Sequence, residues 1–299
     1  MVFAACLCAQ GVEAQNRGVY PLGMSATGAG VTPETGLSYV NAFLFYSRDE
    51  SKGPEGERIT TGQNSVLMDM NTFVWVSGTN ISSLGGAMFS MAATLPIANN
   101  SLSSDALGSS LSGGGGLADS YYQPLILGWK HERLEMRVIG GFLAPTGRFQ
   151  AGASDNVGSG YWTWTASSGQ TLYLDEGRRT ALSAFQMYEF HTTQEGTDIH
   201  PGQNFDLDYS LTRVLPLGRD ASLQVGLVGY GQWQTSSKTG PTITAEQTAE
   251  RYRVNALGFV SNVLLPTRRV SLGLKYFHEF ANRSTFEGYS LQISGAVAF

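Results

Sequence analysis

The spacing of its apolar-alternating runs restricts most what this chain can fold into. Such runs recur near 37–47, 65–77, 85–96, 119–131, 134–144, 160–174, 180–192, 204–215, 222–235, 251–265, 269–280 and 287–299. At roughly 9–14 residues each, they have the length a tilted strand needs to cross a bilayer. The connections between them alternate in length. RDESKGPEGERITTGQ, the Gly/Ser-rich stretch 97–118, PTGRFQAGASDNVGS, QEGTDIHPGQ and SSKTGPTITAEQTAE are long or moderately long. GTNISSLG, the turn 131–133, DEGRR, PLGRDA and PTRR are short, and only ANRSTFE breaks the pattern among the outer connections. Long loops on one side and short turns on the other are the asymmetry of a barrel set in a membrane, with the short side periplasmic.

The expectation is an all-β fold: a transmembrane antiparallel up-and-down β-barrel of about 12 strands. Composition agrees. Charged residues are 14% of the chain and glycines number 37, whereas a soluble domain carries roughly 25% charge. Helical periodicity is nearly absent, and no uninterrupted apolar run approaches the ~18 residues of a spanning helix. A formal charge of −5 without a basic cluster argues against a nucleic-acid partner.

Aromatic residues fall where strands meet water. Tyr121, Tyr122, Tyr161, Trp162, Trp164, Tyr230, Trp233, Tyr252, Tyr276 and Tyr289 lie near the outer loops, and Trp75, Trp129 and Phe299 near the short turns. Amphipathic rings prefer the membrane interface, so two girdles are expected, with some rings free to turn inward. The last segment, YSLQISGAVAF, puts Tyr289, Leu291, Ile293, Val297 and Phe299 on one face and small or polar residues on the other. A terminal aromatic after such alternation resembles the signal read by the barrel-assembly machinery. That machinery, outer-membrane lipid and lipopolysaccharide are the expected partners besides a solute.

At the other end, residues 1–14 read as a secretory signal with an apolar stretch from Val2 to Ala9 and a small-residue site at 12–14. Both cysteines, Cys6 and Cys8, lie within it, so the mature chain would hold no disulfide or cysteine site. Residues 15–36 are then a periplasmic segment or plug, and 37–299 the barrel.

Charges set among the strands should face the lumen, because a cation facing lipid costs about 2–4 kcal/mol at mid-depth. Glu135 and Arg137 oppose Leu134, Met136 and Val138. Asp206 and Asp208 oppose Phe205, Leu207 and Tyr209, and Lys275 and Glu279 oppose Leu272, Leu274 and Tyr276. Asp69 and Asn71 oppose Val66, Met68, Met70 and Val74, and Gln292 opposes Leu291 and Ile293. Arg253 joins this set near an outer rim, although Leu257 and Phe259 share its parity. Two readings stay open: these groups pair and fill a narrow barrel, or they line a water path and set selectivity.

Catalytic motifs are lacking. None of the four histidines, His131, His191, His200 and His278, lies in H-x-S or H-E-x-x-H, and no G-x-S-x-G occurs. A Ser–His pair formed only in three dimensions is the remaining enzymatic reading. The glycines 113–116 lack a following G-K-[ST] and read as loop. No metal or cofactor is expected.

Several segments together resemble one family. GVYPLGMSATGAGVTPETGLSYVNAFLFYS, QPLILGWK with VIGGFLAPTGRF, GSGYWTWT, TDIHPGQNFDLDYSLTRVL and KYFHEFANRSTFEGYSLQISGAVAF are similar to the MetA-pathway phenol-degradation family of outer-membrane proteins, including its sphingosine-responsive porin group. The resemblance spans nearly the whole mature chain and supplies no catalytic residues. It implies a bacterial outer-membrane channel for passive uptake of small hydrophobic or aromatic compounds. A non-transporting barrel acting as a surface-binding or scaffold protein is the alternative, and a barrel lipase or deacylase the third reading.

Overall fold

The computed structural model describes residues 17–104, 110–153 and 155–299; the expected signal segment and both cysteines lie outside them. Among the described residues thirteen strands follow in order: β1 (Gly36–Lys52), β2 (Arg58–Ile81), β3 (Ala87–Ser104), β4 (Ser110–Leu117), β5 (Ser120–Lys130), β6 (Leu134–Ala144) and β7 (Thr163–Tyr173). Then come β8 (Thr180–His191), β9 (Asn204–Pro216), β10 (Ser222–Gln234), β11 (Arg253–Leu265), β12 (Val270–Glu279) and β13 (Thr285–Ala298). Each pairs antiparallel with its neighbours, and β13 closes on β1 with Tyr39 opposite Val297 and Phe45 opposite Leu291. All but β4 form a closed 12-strand cylinder, so no edge in the hydrocarbon layer is left unpaired.

The strand β4 departs from the expected loop. The run expected to stop near 96 continues to Ser104, and the Gly-rich stretch turns back to pair with it through Ile97–Leu117 and Ala98–Gly116. Positive φ at Gly114 (75°) and Gly116 (152°) bends this strand in a way a side chain would resist. The polar connection after β1 behaves likewise: β1 and β2 extend until only residues 53–57 join them. Lys52 bridges Glu50 at 2.6 Å and Glu287 at 3.1 Å there. These two outer connections thus rise as hairpins, while those after β6, β8 and β10 carry no strand among the described residues.

The short turns use local chemistry. A 3-10 turn (Ser82–Leu84) precedes Gly85 and Gly86, both at positive φ. Another (Pro266–Arg268) ends on Arg269 in the left-handed region. Between β7 and β8, Asp175 accepts from the backbone N–H groups of Arg179 and Thr180, which hold its carboxyl below the usual carboxylate range.

The outward face is apolar, with Leu227 65% exposed in β10, between Leu211 and Phe259. Rings run along it: Phe45–Tyr289–Tyr276–Phe259, then Phe205–Trp233, Tyr188–Phe190, and Trp162, Trp164, Phe142 and Tyr122. Trp75 and Phe89 meet near the short turns, where Trp129 donates to the Leu84 carbonyl at 2.8 Å. Four rings of the expected outer girdle turn inward instead: Tyr161, Tyr230 and Tyr252 are buried, and Tyr121 faces an internal cavity. The hydroxyls of Tyr121, Tyr230 and Tyr252 meet polar groups that lipid lacks: Thr165, Glu279 and Asn204. Leu227→Arg is expected to destabilise the barrel by about 2–4 kcal/mol, read as a lowered urea midpoint in lipid vesicles. An unchanged midpoint would contradict the outward placement of Leu227.

Candidate functional site

Residues 17–35 run inside the cylinder, and the polar half of the inner wall holds them. Arg17 reaches Glu279 through both terminal nitrogens (2.9 and 3.1 Å), and also bonds Tyr46 and the Phe286 carbonyl. Glu189 accepts the backbone N–H groups of Val19 (3.1 Å) and Tyr20 (2.7 Å). Asp208 accepts from the Tyr20 hydroxyl (2.7 Å) and from the N–H groups of Gly23 (2.9 Å) and Ser25 (3.0 Å). The complementary donors serve the segment's carbonyls. Lys275 Nζ donates to Gly23 and Met24 (2.9 and 2.8 Å), Gln292 to Leu22 (2.8 Å), and Arg137 twice to Ala29 (3.0 and 2.8 Å). A chain without regular structure must satisfy its backbone polar groups somewhere, and here barrel side chains do so.

Asp206 is wholly buried and accepts from Gln232 at 2.6 Å without touching the segment. Glu135 sits near the short turns, bonded to Arg178 with Lys130 at 3.9 Å. Asp69, Asn71 and Arg253 do not stand on the inner wall. In β2 it is Leu67, Phe73 and Trp75 that are exposed (39%, 46% and 42%), and Asp69 and Asn71 share their parity. Arg253 likewise shares the face of Leu257 and Phe259, each 51% exposed. The expectation failed because it assigned apolar residues to lipid. Trp75, a ring expected in the girdle, carries the parity of Asp69 and was the signal that could have corrected it.

The wall made by β1–β3 is therefore apolar on both faces, with Asn41, Asp69 and Asn71 set among outward residues such as Phe43, Leu67 and Phe73. Outside, Asn41 donates to Asp69 at 2.5 Å and the Tyr39 hydroxyl to Asn71 at 2.6 Å, and these bonds offset part of the cost of polar groups in lipid. Inside, Val40, Leu44, Val66, Met68, Met70 and Val74 face a cavity of about 840 Å³. Its far side is the luminal segment, with Tyr20, Leu22 and Met24. Phe149 and Val157 of the β6–β7 loop reach it as well. Asp119 holds that loop, accepting from Gly147 N–H (3.0 Å), Ser159 N–H (2.8 Å) and the Ser159 hydroxyl (2.5 Å). The lumen thus divides into a polar half that clasps the segment and an apolar half left open beside it.

Two histidines lie away from the lumen: His131 opens a short turn and His278 is exposed on the outward face of β12. His200 pairs with Thr239 in the outer loops. His191 is buried, with Nδ1 2.8 Å from Thr163 Oγ1 and Nε2 3.3 Å from Glu189. Thr163 is fully buried, so this pair presents no accessible nucleophile. Among the described residues, no group of three or more His, Cys, Asp or Glu could hold a metal ion.

Comparison with solved structures places the chain among outer-membrane barrels. The COG4313 outer membrane channel from Pseudomonas putida F1 superposes with a TM-score of 0.73 at 13% identity, over 91% of this chain and 98% of that one. The β domain of the Bordetella autotransporter BrkA follows at 0.51 and 12% identity, over 89% and 100%. None of the curated proteins compared with the chain matches it. The chain is a bacterial outer-membrane β-barrel, and the family model described as "Putative MetA-pathway of phenol degradation" matches residues 48–294, most of its length; it belongs to that family.

Proposed function

We propose that this barrel is a passive channel for small hydrophobic or aromatic compounds. The observation that carries this reading is the apolar cavity between the luminal segment and the β1–β3 wall. Its volume falls within the roughly 300–1,000 Å³ of small-molecule sites. Methionines 68 and 70 give it a soft, polarisable lining that adapts to ligands of different shape. The COG4313 protein is described as a channel, and the family description speaks of phenol degradation; both are consistent with this role. A solute would enter from the outer loops, rest in the cavity and leave down its concentration gradient.

The non-transporting reading draws on a specific observation too, the many bonds holding residues 17–30 across the lumen. Facilitated uptake separates the two. Porin-poor cells making this barrel should take up labelled toluene faster than cells without it. Met70→Trp, which fills the cavity from one inward position, is expected to reduce the difference by about tenfold, since overpacking of this kind costs about 1–3 kcal/mol. Equal uptake with and without the barrel would favour the scaffold.

A further inference from the structure

Among the described residues, one cation beside the cavity has neither an ion pair nor a hydrogen-bond partner for its Nε. Arg48 stands on the inner wall near the outer end of β1, and its guanidinium lies over the rings of Tyr46 (5.1 Å) and Phe286 (5.2 Å). A guanidinium held over aromatic rings can still offer N–H groups in its own plane to an anion.

Glu279, which lines the same cavity, is already saturated. Glu279 Oε1 already accepts from Arg17 (2.9 Å), Tyr46 (2.6 Å) and Tyr230 (3.0 Å). Its Oε2 accepts from Arg17 (3.1 Å), Asn282 (2.9 Å) and the Gly288 N–H (3.2 Å). Six donors use up the roughly four lone-pair sites of a carboxylate. The other acids of this rim are engaged as well: Glu50 and Glu287 with Lys52, and Asp49 with Ser47. Of the remaining charges lining the cavity, Arg137 has its N–H groups taken up by the Ala29 carbonyl, and its charge is offset in the sum by that of Asp119, which the β6–β7 loop holds. Arg17 and Glu279 cancel, so one positive charge is left at the end of an apolar chamber.

We infer that Arg48 is a head-group site, and that the preferred solutes are hydrophobic molecules carrying one carboxylate, with the apolar body laid along Leu44, Met68 and Met70. This rests on the channel reading above and narrows its substrate class. A planar carboxylate matches the free guanidinium edge, and the low-dielectric wall strengthens the pair.

The test compares two solutes of one shape, 3-phenylpropionate and propylbenzene, by equilibrium dialysis against the barrel in lipid nanodiscs, with empty nanodiscs subtracted. Wild type should bind 3-phenylpropionate more tightly than propylbenzene. Arg48→Met keeps a stem of similar bulk without the charge. It should weaken 3-phenylpropionate by about tenfold or more, the usual worth of a hydrogen bond to a charged group, and change propylbenzene less than twofold. Arg48→Lys should recover part of the loss. If propylbenzene binds while 3-phenylpropionate gains nothing from Arg48, the inference fails and the channel reading stands. If neither solute binds wild type, the cavity is not a solute site and both fall.

Discussion

Glu279→Ala is expected to free the luminal segment at its first described residue. The carboxylate collects six donors, from Arg17, Tyr46, Tyr230, Asn282 and the Gly288 backbone. Removing it leaves Arg17 buried beside Arg48 with no counter-charge. Breaking a buried ion pair from one side costs about 3–5 kcal/mol, because the partner is left uncompensated. The barrel has a cheaper response than bearing that cost: Arg17 can leave, taking with it the Gly18 N–H bonded to Tyr252 and the Glu189 contacts of Val19 and Tyr20. Hydrogen exchange at residues 18–20 should therefore accelerate by orders of magnitude while the strands stay protected. Glu279→Gln keeps the shape and some acceptor capacity, so its effect should be smaller. Unchanged protection in the alanine variant would show that the segment is held from elsewhere.

Such an anchor could not be read from the sequence, although its barrel half could. Parity alone put Asp208, Lys275, Glu279 and Gln292 opposite their apolar neighbours, and the closed cylinder followed from run length and loop alternation. Residues 17–30 carry no periodicity, so nothing along the chain says that Gly23 and Met24 carbonyls meet Lys275. Those contacts join residues some 250 positions apart. The cavity was hidden for a different reason. A barrel strand shows one apolar and one polar face, and the usual assignment sends the apolar face to lipid. In β2 both faces carry large apolar residues, Met68 and Met70 on one and Phe73 and Trp75 on the other. Asp69 and Asn71 then misdirect the register. The strand β4 was missed because serine and glycine are poor strand formers, and its pairing is supplied by β3 rather than by propensity.

Gly169→Leu is expected to expel the middle of the luminal segment and turn the barrel into an open ion pore. Gly169 lies on the inner face of β7, between Ser167 and Thr171, and a Cβ there would stand 2.0 Å from the Ala29 carbonyl oxygen. The opposing contact is equally close: a Cβ on Gly30 would stand 2.0 Å from the Glu135 carbonyl. Backbone meets backbone here, so neither side can give way by a rotamer change. Leucine suits a strand conformation, and the ladder of β7 with β6 and β8 needs no adjustment. The segment alone must move, breaking the bonds of Ala29 to Arg137 and of Gly30 to Thr171. With that half of the lumen vacated, water and ions gain a path that the wild type fills with protein. Planar-bilayer conductance should rise severalfold while heat-modifiable migration on gels stays that of a folded barrel. Gly140→Leu, on the outward face, where the nearest atom to an added Cβ is 3.9 Å away, should change neither. If Gly169→Leu conducts like the wild type, the segment is not what occludes the lumen, and solute must pass where ions cannot for some other reason.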